Sequence, residues 1–161
     1  MLRRETEMSM RWKALTVRIV LFAVVWLSGC TLSLPIDITG QWSGTLTYTS
    51  GPATGFNYPL TLNLVYDDRD VTGTITLVSH GPFTFDLPIN SGRAKNPDIR
   101  LDAFGTNPHV VPSPTVSVAM EGRYDAESMS GEGTQTVDGM TYEFTWTVSF
   151  VPPPEPPEDA T

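Results

Sequence analysis

The sequence predicts an all-β domain over residues 38–150. In this region no stretch repeats its apolar residues with the period of about 3.6 that a helix requires, whereas apolar and polar residues alternate from end to end. The alternating segments are rich in Thr, Val, Tyr and Phe, which favour pleated strands. Short acidic or glycine-containing segments separate them and are typical of turns.

Each alternating segment predicts one strand with an apolar face, and the region contains about eight of them. On the first four strands, the residues expected to face the core are Trp42, Gly44, Leu46 and Tyr48; Tyr58, Leu60, Leu62, Leu64 and Tyr66; Val71, Gly73, Ile75 and Leu77; and Phe83, Phe85, Leu87 and Ile89. On the last four strands, they are Ile99, Leu101 and Ala103; Val116, Val118, Met120 and Gly122; Met129, Gly131 and Gly133; and Met140, Tyr142, Phe144, Trp146, Val148 and Phe150.

Short connections predict that neighbouring strands pair antiparallel. Residues 67–70 join the second and third strands, and residues 125–128 precede the seventh. Asp138-Gly139, before the eighth strand, is typical of a type I′ hairpin.

Eight strands of this kind can bury their apolar faces in a closed up-and-down barrel or in a two-sheet β-sandwich. Five glycines fall on the predicted apolar face, where a missing side chain allows a coiled strand to bend around a narrow interior. They are Gly44, Gly73, Gly122, Gly131 and Gly133. The sequence therefore favours the barrel, and the sandwich remains the alternative.

The N-terminal segment predicts an export signal. Basic residues precede a signal helix whose apolar run, residues 19–27, has nine residues, far fewer than the ~20 that a spanning helix needs. The run ends in Leu27-Ser28-Gly29-Cys30, which resembles the lipobox of bacterial lipoproteins. The resemblance implies that residues 1–29 are removed, that the Cys30 thiol is acylated, and that residues 30–37 form a lipidated tether. Thr31 after the cysteine implies, by the enterobacterial sorting pattern, the outer membrane facing the periplasm in a Gram-negative cell.

The charge of the mature chain excludes one class of partner. From residue 30 onward, five basic residues stand against sixteen acidic ones, a formal charge of −11. Such a chain repels nucleic acid, which is therefore not an expected partner. It also repels anionic lipid headgroups, so we expect it to attach to the membrane only through the acyl chains on Cys30. Cys30 is the only cysteine, so no disulfide is expected. The proline-rich residues 151–161 predict an extended acidic tail.

The domain resembles the calycin superfamily of small eight-stranded barrels, which includes lipocalins and avidins. Gly40-Gln41-Trp42 is similar to the lipocalin Gly-x-Trp motif, and residues 38–42, 71–74 and 122–124 are loosely similar to avidin segments. The resemblance implies a barrel that holds at most one small ligand. Two family features are missing. Lipocalins place a basic residue near the end of the barrel over the motif's tryptophan, whereas here no basic residue follows Arg123. The inward face also carries no avidin-like polar pocket. Biotin binding is therefore not expected.

The predicted interior allows two interpretations. Its many aromatic residues predict a packed core, because an eight-stranded barrel is only just wide enough to be filled by side chains. The alternative is a cavity near one mouth, made possible by the inward glycines and lined by Trp42, Tyr66, Tyr142 and Trp146, for a small apolar or amphipathic ligand.

Catalytic and metal-binding patterns are weak. His80 and His109 lie beside prolines in predicted loops, and no serine elbow or spare cysteine offers a nucleophile. The triplet Asp67, Asp68 and Asp70 lacks the glycine and distal glutamate of a calcium loop. We therefore expect no enzyme activity, no metal and no cofactor.

The sequence predicts a lipid-anchored lipoprotein of the cell envelope with an interaction or structural role. Its partner in that role would be another protein of the envelope. The alternative is a lipocalin-like carrier of a small apolar ligand. A further alternative is a barrel that inhibits proteases.

Overall fold

The computed structural model describes residues 36–79 and 83–155, and the predicted signal peptide and Cys30 lie outside these ranges. The described chain forms eight antiparallel strands. They are β1 (Gly40–Tyr48), β2 (Asn57–Asp67), β3 (Asp70–Val78), β4 (Thr84–Lys95), β5 (Asp98–Thr106), β6 (Thr115–Tyr124), β7 (Ser128–Val137) and β8 (Met140–Val151). The described residues contain no helix, and therefore none that could span a membrane.

The strands close into an up-and-down barrel, which confirms the barrel and excludes the sandwich. Each strand pairs with the next in sequence, and β1 also pairs with β8. At the seam, Trp42 lies opposite Leu62 of β2 on one side and Phe150 of β8 on the other. Closure leaves no strand edge unpaired.

The buried face agrees with the predicted alternation over most of the barrel. Leu62, Ile75, Leu87 and Leu101 are fully enclosed, as is Trp42. Between Ile89 and Ser91 the β4–β5 register shifts, and the buried residues of β4 change from Phe85, Leu87 and Ile89 to Ala94. The bulge explains this change, because one extra residue reverses the phase of a strand.

Three residues predicted to face the core are exposed instead. Phe83 is 54%, Met140 59% and Phe150 38% exposed. Phe83 precedes β4, Met140 is the first residue of β8 and Phe150 is next to its last. The alternation in the sequence continues to the strand ends, where the barrel has no opposite wall to cover a side chain.

The inward glycines are required by close contact between strands. A Cβ on Gly73 would overlap the backbone carbonyl oxygen of Asn63, and a Cβ on Gly131 would overlap that of Glu121. Gly73 also has a φ of +131°, which L side chains rarely adopt. The prediction that glycines allow strong coiling agrees with this geometry, because neighbouring backbone takes the space beside these two glycines.

The two ends of the barrel differ. We call the closed end the one that carries residues 36–39, the β2–β3, β4–β5 and β6–β7 turns and the end of β8. We call the open end the one that carries the loops at residues 49–56, 79–83, 107–114 and 138–139, of which residues 80–82 lie outside the described ranges.

The segment before β1 covers the closed end. Ile38 is fully buried, the Trp42 Nε1–H donates to the Ile38 carbonyl at 3.0 Å, and the Tyr66 backbone N–H donates to the Thr39 hydroxyl at 3.0 Å. Tyr124 is buried at this end, and its hydroxyl has no hydrogen-bond partner in the described chain. Burial, followed by the nearby Tyr66 and Asp98, raises the pKa of that phenol.

Candidate functional site

A cavity of about 660 Å³ enters the barrel at the open end. Its wall combines apolar and aromatic residues with a few polar groups. The residues that carry most of this wall are Leu46, Tyr48, Phe56, Tyr58, Leu77, Phe85, Asn107, Val110, Pro112, Val116, Gln135, Val137 and Tyr142.

The strand register positions the deepest part of the wall. Leu46 faces inward on β1 and lies opposite Tyr58 of β2 and Trp146 of β8. Leu77 of β3 lies opposite Phe85 of β4. Because paired residues of antiparallel strands share a face, these side chains form an apolar layer below the strand ends.

Aromatic rings surround Tyr48 at the mouth. Its ring centroid lies 5.6 Å from that of Tyr58, 6.4 Å from that of Tyr142 and 6.2 Å from that of Phe144, each in an edge-on arrangement. Edge-to-face contacts of this kind fix the orientation of the rings. The three tyrosines therefore form a rigid sector of the wall.

A buried polar pair lies within this sector. The Tyr48 hydroxyl donates to Oε1 of Gln135, a side chain that is only 7% exposed. Burial, followed by the neighbouring Tyr58 and Tyr142, raises the pKa of Tyr48 to about 12, so the phenol keeps its proton at neutral pH. The Gln135 side chain lines the cavity.

A second polar set fixes the loop at residues 107–114. The Asn107 amide nitrogen donates to the Ser79 hydroxyl at 2.6 Å, and its oxygen accepts from the His109 backbone N–H at 3.0 Å. The Asn107 backbone N–H donates to the Pro114 carbonyl at 3.0 Å. These bonds satisfy the buried Asn107 and tie the ends of the loop together across the cavity wall.

The rim of the cavity is apolar. Phe56, Phe83, Val110, Val111 and Met140 come from the four open-end loops or the strand residue beside them, and all five are exposed, Val111 to 93%. The Phe83 ring stacks on His109 at 5.1 Å, and Nε2 of that histidine lies 2.9 Å from the Thr84 carbonyl oxygen. His80 lies outside the described residues.

The charges at the cavity are few and negative. Apart from tyrosines, the only ionisable group among the described lining residues is Asp138, and no described Lys, Arg or His lines the cavity. The Asp138 carboxylate accepts a hydrogen bond from the Thr115 backbone N–H at 3.1 Å, so it holds the β7–β8 hairpin against β6.

The structure does not bring together the four side chains that the sequence predicted around a cavity. Only Tyr142 lines it. Trp42 and Tyr66 lie near the closed end. There the Trp42 indole N–H donates to the Ile38 carbonyl, and the Tyr66 backbone N–H donates to the Thr39 hydroxyl. Trp146 lies between the two ends, and its Nε1–H donates to the Glu132 carbonyl at 3.1 Å.

Sequence reasoning missed Tyr48, Tyr58, Gln135 and Asn107 as lining residues. The signal for Gln135 was present, because it continues the alternation Met129, Gly131, Gly133 on the inward face of β7. An amide at that position should have indicated a polar group inside the barrel. Asn107 lies in the loop after β5, where the alternation of apolar and polar residues does not indicate which side chains face the cavity.

The other predicted sites have structural roles in the described chain. Asp67, Asp68 and Asp70 lie at the β2–β3 turn, where Asp68 adopts a positive φ of 57°. No group of three potential metal ligands occurs among the described residues. A larger depression of about 1,210 Å³ lies on the outer face of β4–β8 and is lined by many charged residues. Within it Arg100 pairs with Glu121 at 2.9 Å, and Arg100 also pairs with the neighbouring Asp102 at 3.2 Å.

Comparison with known proteins adds no family. No protein-family model matches the chain, and no curated protein matches it.

Proposed function

We propose that this protein is a non-catalytic binding protein that holds one small, largely apolar ligand in the open-end cavity. The observation that carries the proposal is the cavity itself, whose volume of about 660 Å³ is that of a small-molecule site. Such sites combine apolar walls with a few polar groups, as the wall around Tyr48 and Gln135 does. The calycin-like barrel architecture supports the same role. We therefore rank ligand carriage ahead of a purely structural role.

We further propose that the protein is a lipoprotein of the cell envelope, anchored through acyl chains on Cys30. The support is the lipobox Leu27-Ser28-Gly29-Cys30 after a short apolar run. The described chain begins at residue 36, at the closed end, whereas the cavity opens at the other end.

Lipidation is tested by metabolic labelling with a fatty acid. We expect wild type to incorporate the label into the membrane fraction and Cys30→Ser to incorporate none. The control is Ser33→Cys in the Cys30→Ser background, which restores a thiol outside the lipobox. Label in either variant would contradict the lipobox.

Ligand binding is tested with N-phenylnaphthylamine, an uncharged fluorophore, and the mature chain carrying Cys30→Ser. We expect saturable binding of one probe per chain. Ala53→Trp fills the mouth from a loop and should abolish binding. Ala119→Trp makes the same change on the outer face of β6 and should leave binding intact. Binding that is absent from the parent, or equal in both variants, would refute the cavity as a ligand site.

A second candidate function is the binding of an envelope protein through the rim. Phe56, Val111 and Met140 expose apolar side chains at the open end, and clusters of such residues mark interaction surfaces. This candidate predicts that Val111→Asp prevents capture of the partner while N-phenylnaphthylamine still binds. If Val111→Asp instead loses N-phenylnaphthylamine binding and still captures the partner, ligand carriage is favoured.

A further inference from the structure

The polar groups of the cavity indicate which headgroup its ligand carries. Gln135 is enclosed, and its oxygen already accepts the Tyr48 hydroxyl. The Gln135 side chain lines the cavity, so its amide N–H groups lie where a ligand oxygen can accept from them. This position therefore favours a ligand that brings an oxygen.

A negatively charged oxygen does not fit this position. No described lining residue is Lys, Arg or His, and the one ionised side chain in the wall, Asp138, is negative. The raised pKa of Tyr48 reports the same environment, since burial there disfavours the phenolate. An enclosed carboxylate or phosphate would lose hydration without gaining a counter-charge.

A cationic headgroup is also disfavoured. The rings of Tyr58, Tyr142 and Phe144 pack edge-on against the ring of Tyr48, so part of their surface is used in contacts with one another. The Asp138 carboxylate is exposed at the β7–β8 turn and accepts the Thr115 backbone N–H, so water solvates its charge and it is not enclosed with the headgroup. The wall thus provides hydrogen-bond donors in an apolar setting and no dedicated counter-ion.

Resting on the proposed function, we infer that the ligand is an uncharged amphipath whose headgroup oxygen accepts a hydrogen bond from the Gln135 side-chain amide. Alcohols, esters and amides with an aliphatic chain belong to this class. The chain lies against the apolar layer of Leu46, Leu77 and Phe85. The headgroup lies at the level of Gln135 and Tyr48.

The test is displacement of N-phenylnaphthylamine from the mature Cys30→Ser chain by three compounds that share one alkyl chain. They are lauryl alcohol, used below its solubility limit, and laurate and lauryltrimethylammonium, each used below its micelle concentration. We expect the alcohol to displace the probe at a concentration about tenfold or more below that of laurate or the ammonium compound, since an unpaired charge is costly to bury. Laurate or the ammonium compound acting at an equal or lower concentration would overturn the inference.

Gln135→Met tests the hydrogen bond with little change in side-chain size. It should bind N-phenylnaphthylamine as the parent does, but bind lauryl alcohol more weakly, because the alcohol oxygen loses its donor. Gln41→Met, the same change at an exposed position of β1, should keep the parent's affinity for lauryl alcohol. If Gln135→Met does not fold, Tyr48→Phe removes the hydroxyl that holds the Gln135 oxygen and should weaken lauryl alcohol binding as well. An unchanged affinity for lauryl alcohol in the folded Gln135 or Tyr48 variant would overturn the assignment.

The failures of the two proposals are distinguishable. If the parent chain does not bind N-phenylnaphthylamine or lauryl alcohol, the cavity is not a ligand site and the proposed function fails. If the parent binds the probe but prefers a charged headgroup, the ligand site stands and the inference about headgroup chemistry fails.

Discussion

The closed and open ends of the barrel are built from the same eight strands, yet they differ in packing and charge. At the closed end, Ile38 and Trp42 are buried, and the Trp42 indole N–H donates to the Ile38 carbonyl. Ionisable residues occupy two of the three turns at this end. At the open end, loops with exposed apolar residues surround a cavity of about 660 Å³. We therefore expect the closed end to contribute more to the stability of the fold, and we propose that the open end binds the ligand.

Trp42→Ala should cause the largest loss of stability. The side chain is 1% exposed, contacts Phe150 at a centroid distance of 5.2 Å and bonds the Ile38 carbonyl. We expect the free energy of unfolding in urea to fall by about 3–5 kcal/mol.

Tyr142→Ala is the matched change at the open end. Its ring lines the cavity and is only half-buried, so we expect a loss of about 1–2 kcal/mol, within the range of ordinary substitutions. Equal losses for the two variants would contradict the division between a stabilising end and a binding end.

Gly73→Ala should have the next largest effect. The added Cβ would overlap the Asn63 carbonyl oxygen, and the φ of +131° is strained for any L side chain. We expect a loss of about 2–3 kcal/mol in urea unfolding, as for an overpacked core. Gly55→Ala in an open-end loop is the control, because φ is again positive at +84° but no atom lies within 4 Å of its Cβ. It should cost about 1 kcal/mol.

Asp125 at the closed end should produce a smaller, pH-dependent effect. Its carboxylate accepts the backbone N–H groups of Glu127 and Ser128 and the Ser128 hydroxyl, and these bonds lower its pKa below 3.8. Since the folded pKa is lowered, the stabilisation is fully present above the unfolded pKa and is lost as pH falls through the folded pKa.

Asp125→Asn should therefore be less stable than wild type at neutral pH, and the difference should narrow as pH falls from about 5 to about 2. Thermal unfolding followed by circular dichroism across this range measures the difference. A gap that stays constant, or that widens in acid, would show that the carboxylate does not stabilise the β6–β7 turn.

The sequence was sufficient to predict the barrel because its signals are periodic. The alternation of Trp42, Gly44 and Leu46 on β1 and the Asp138-Gly139 turn are local patterns that the folded chain keeps, with positive φ of 48° and 84° at the turn. The β4 bulge was not predictable, because no residue between Ile89 and Ser91 signals a change of phase.

The cavity was harder to predict because it depends on register. The sequence places Trp42 and Trp146 on the inward faces of strands that pair, but Trp42 lies opposite Phe150, and Trp146 lies opposite Leu46. Four residues along a strand separate the two levels by about 13 Å, so the tryptophans cannot line one mouth. The glycines were expected to leave room for a ligand, whereas Gly73 and Gly131 lie against backbone of neighbouring strands.

The most direct test of the account is an NMR titration of the ¹⁵N-labelled mature Cys30→Ser chain with lauryl alcohol. We predict that the Gln135 side-chain amide and the backbone amides of Tyr48, Asn107 and Tyr142 shift together and saturate at one ligand per chain. The Trp42 indole N–H, bonded to Ile38 at the closed end, should not move. Shifts centred on Trp42 and Ile38, or no shifts at saturating alcohol, would contradict an open end built to bind a ligand.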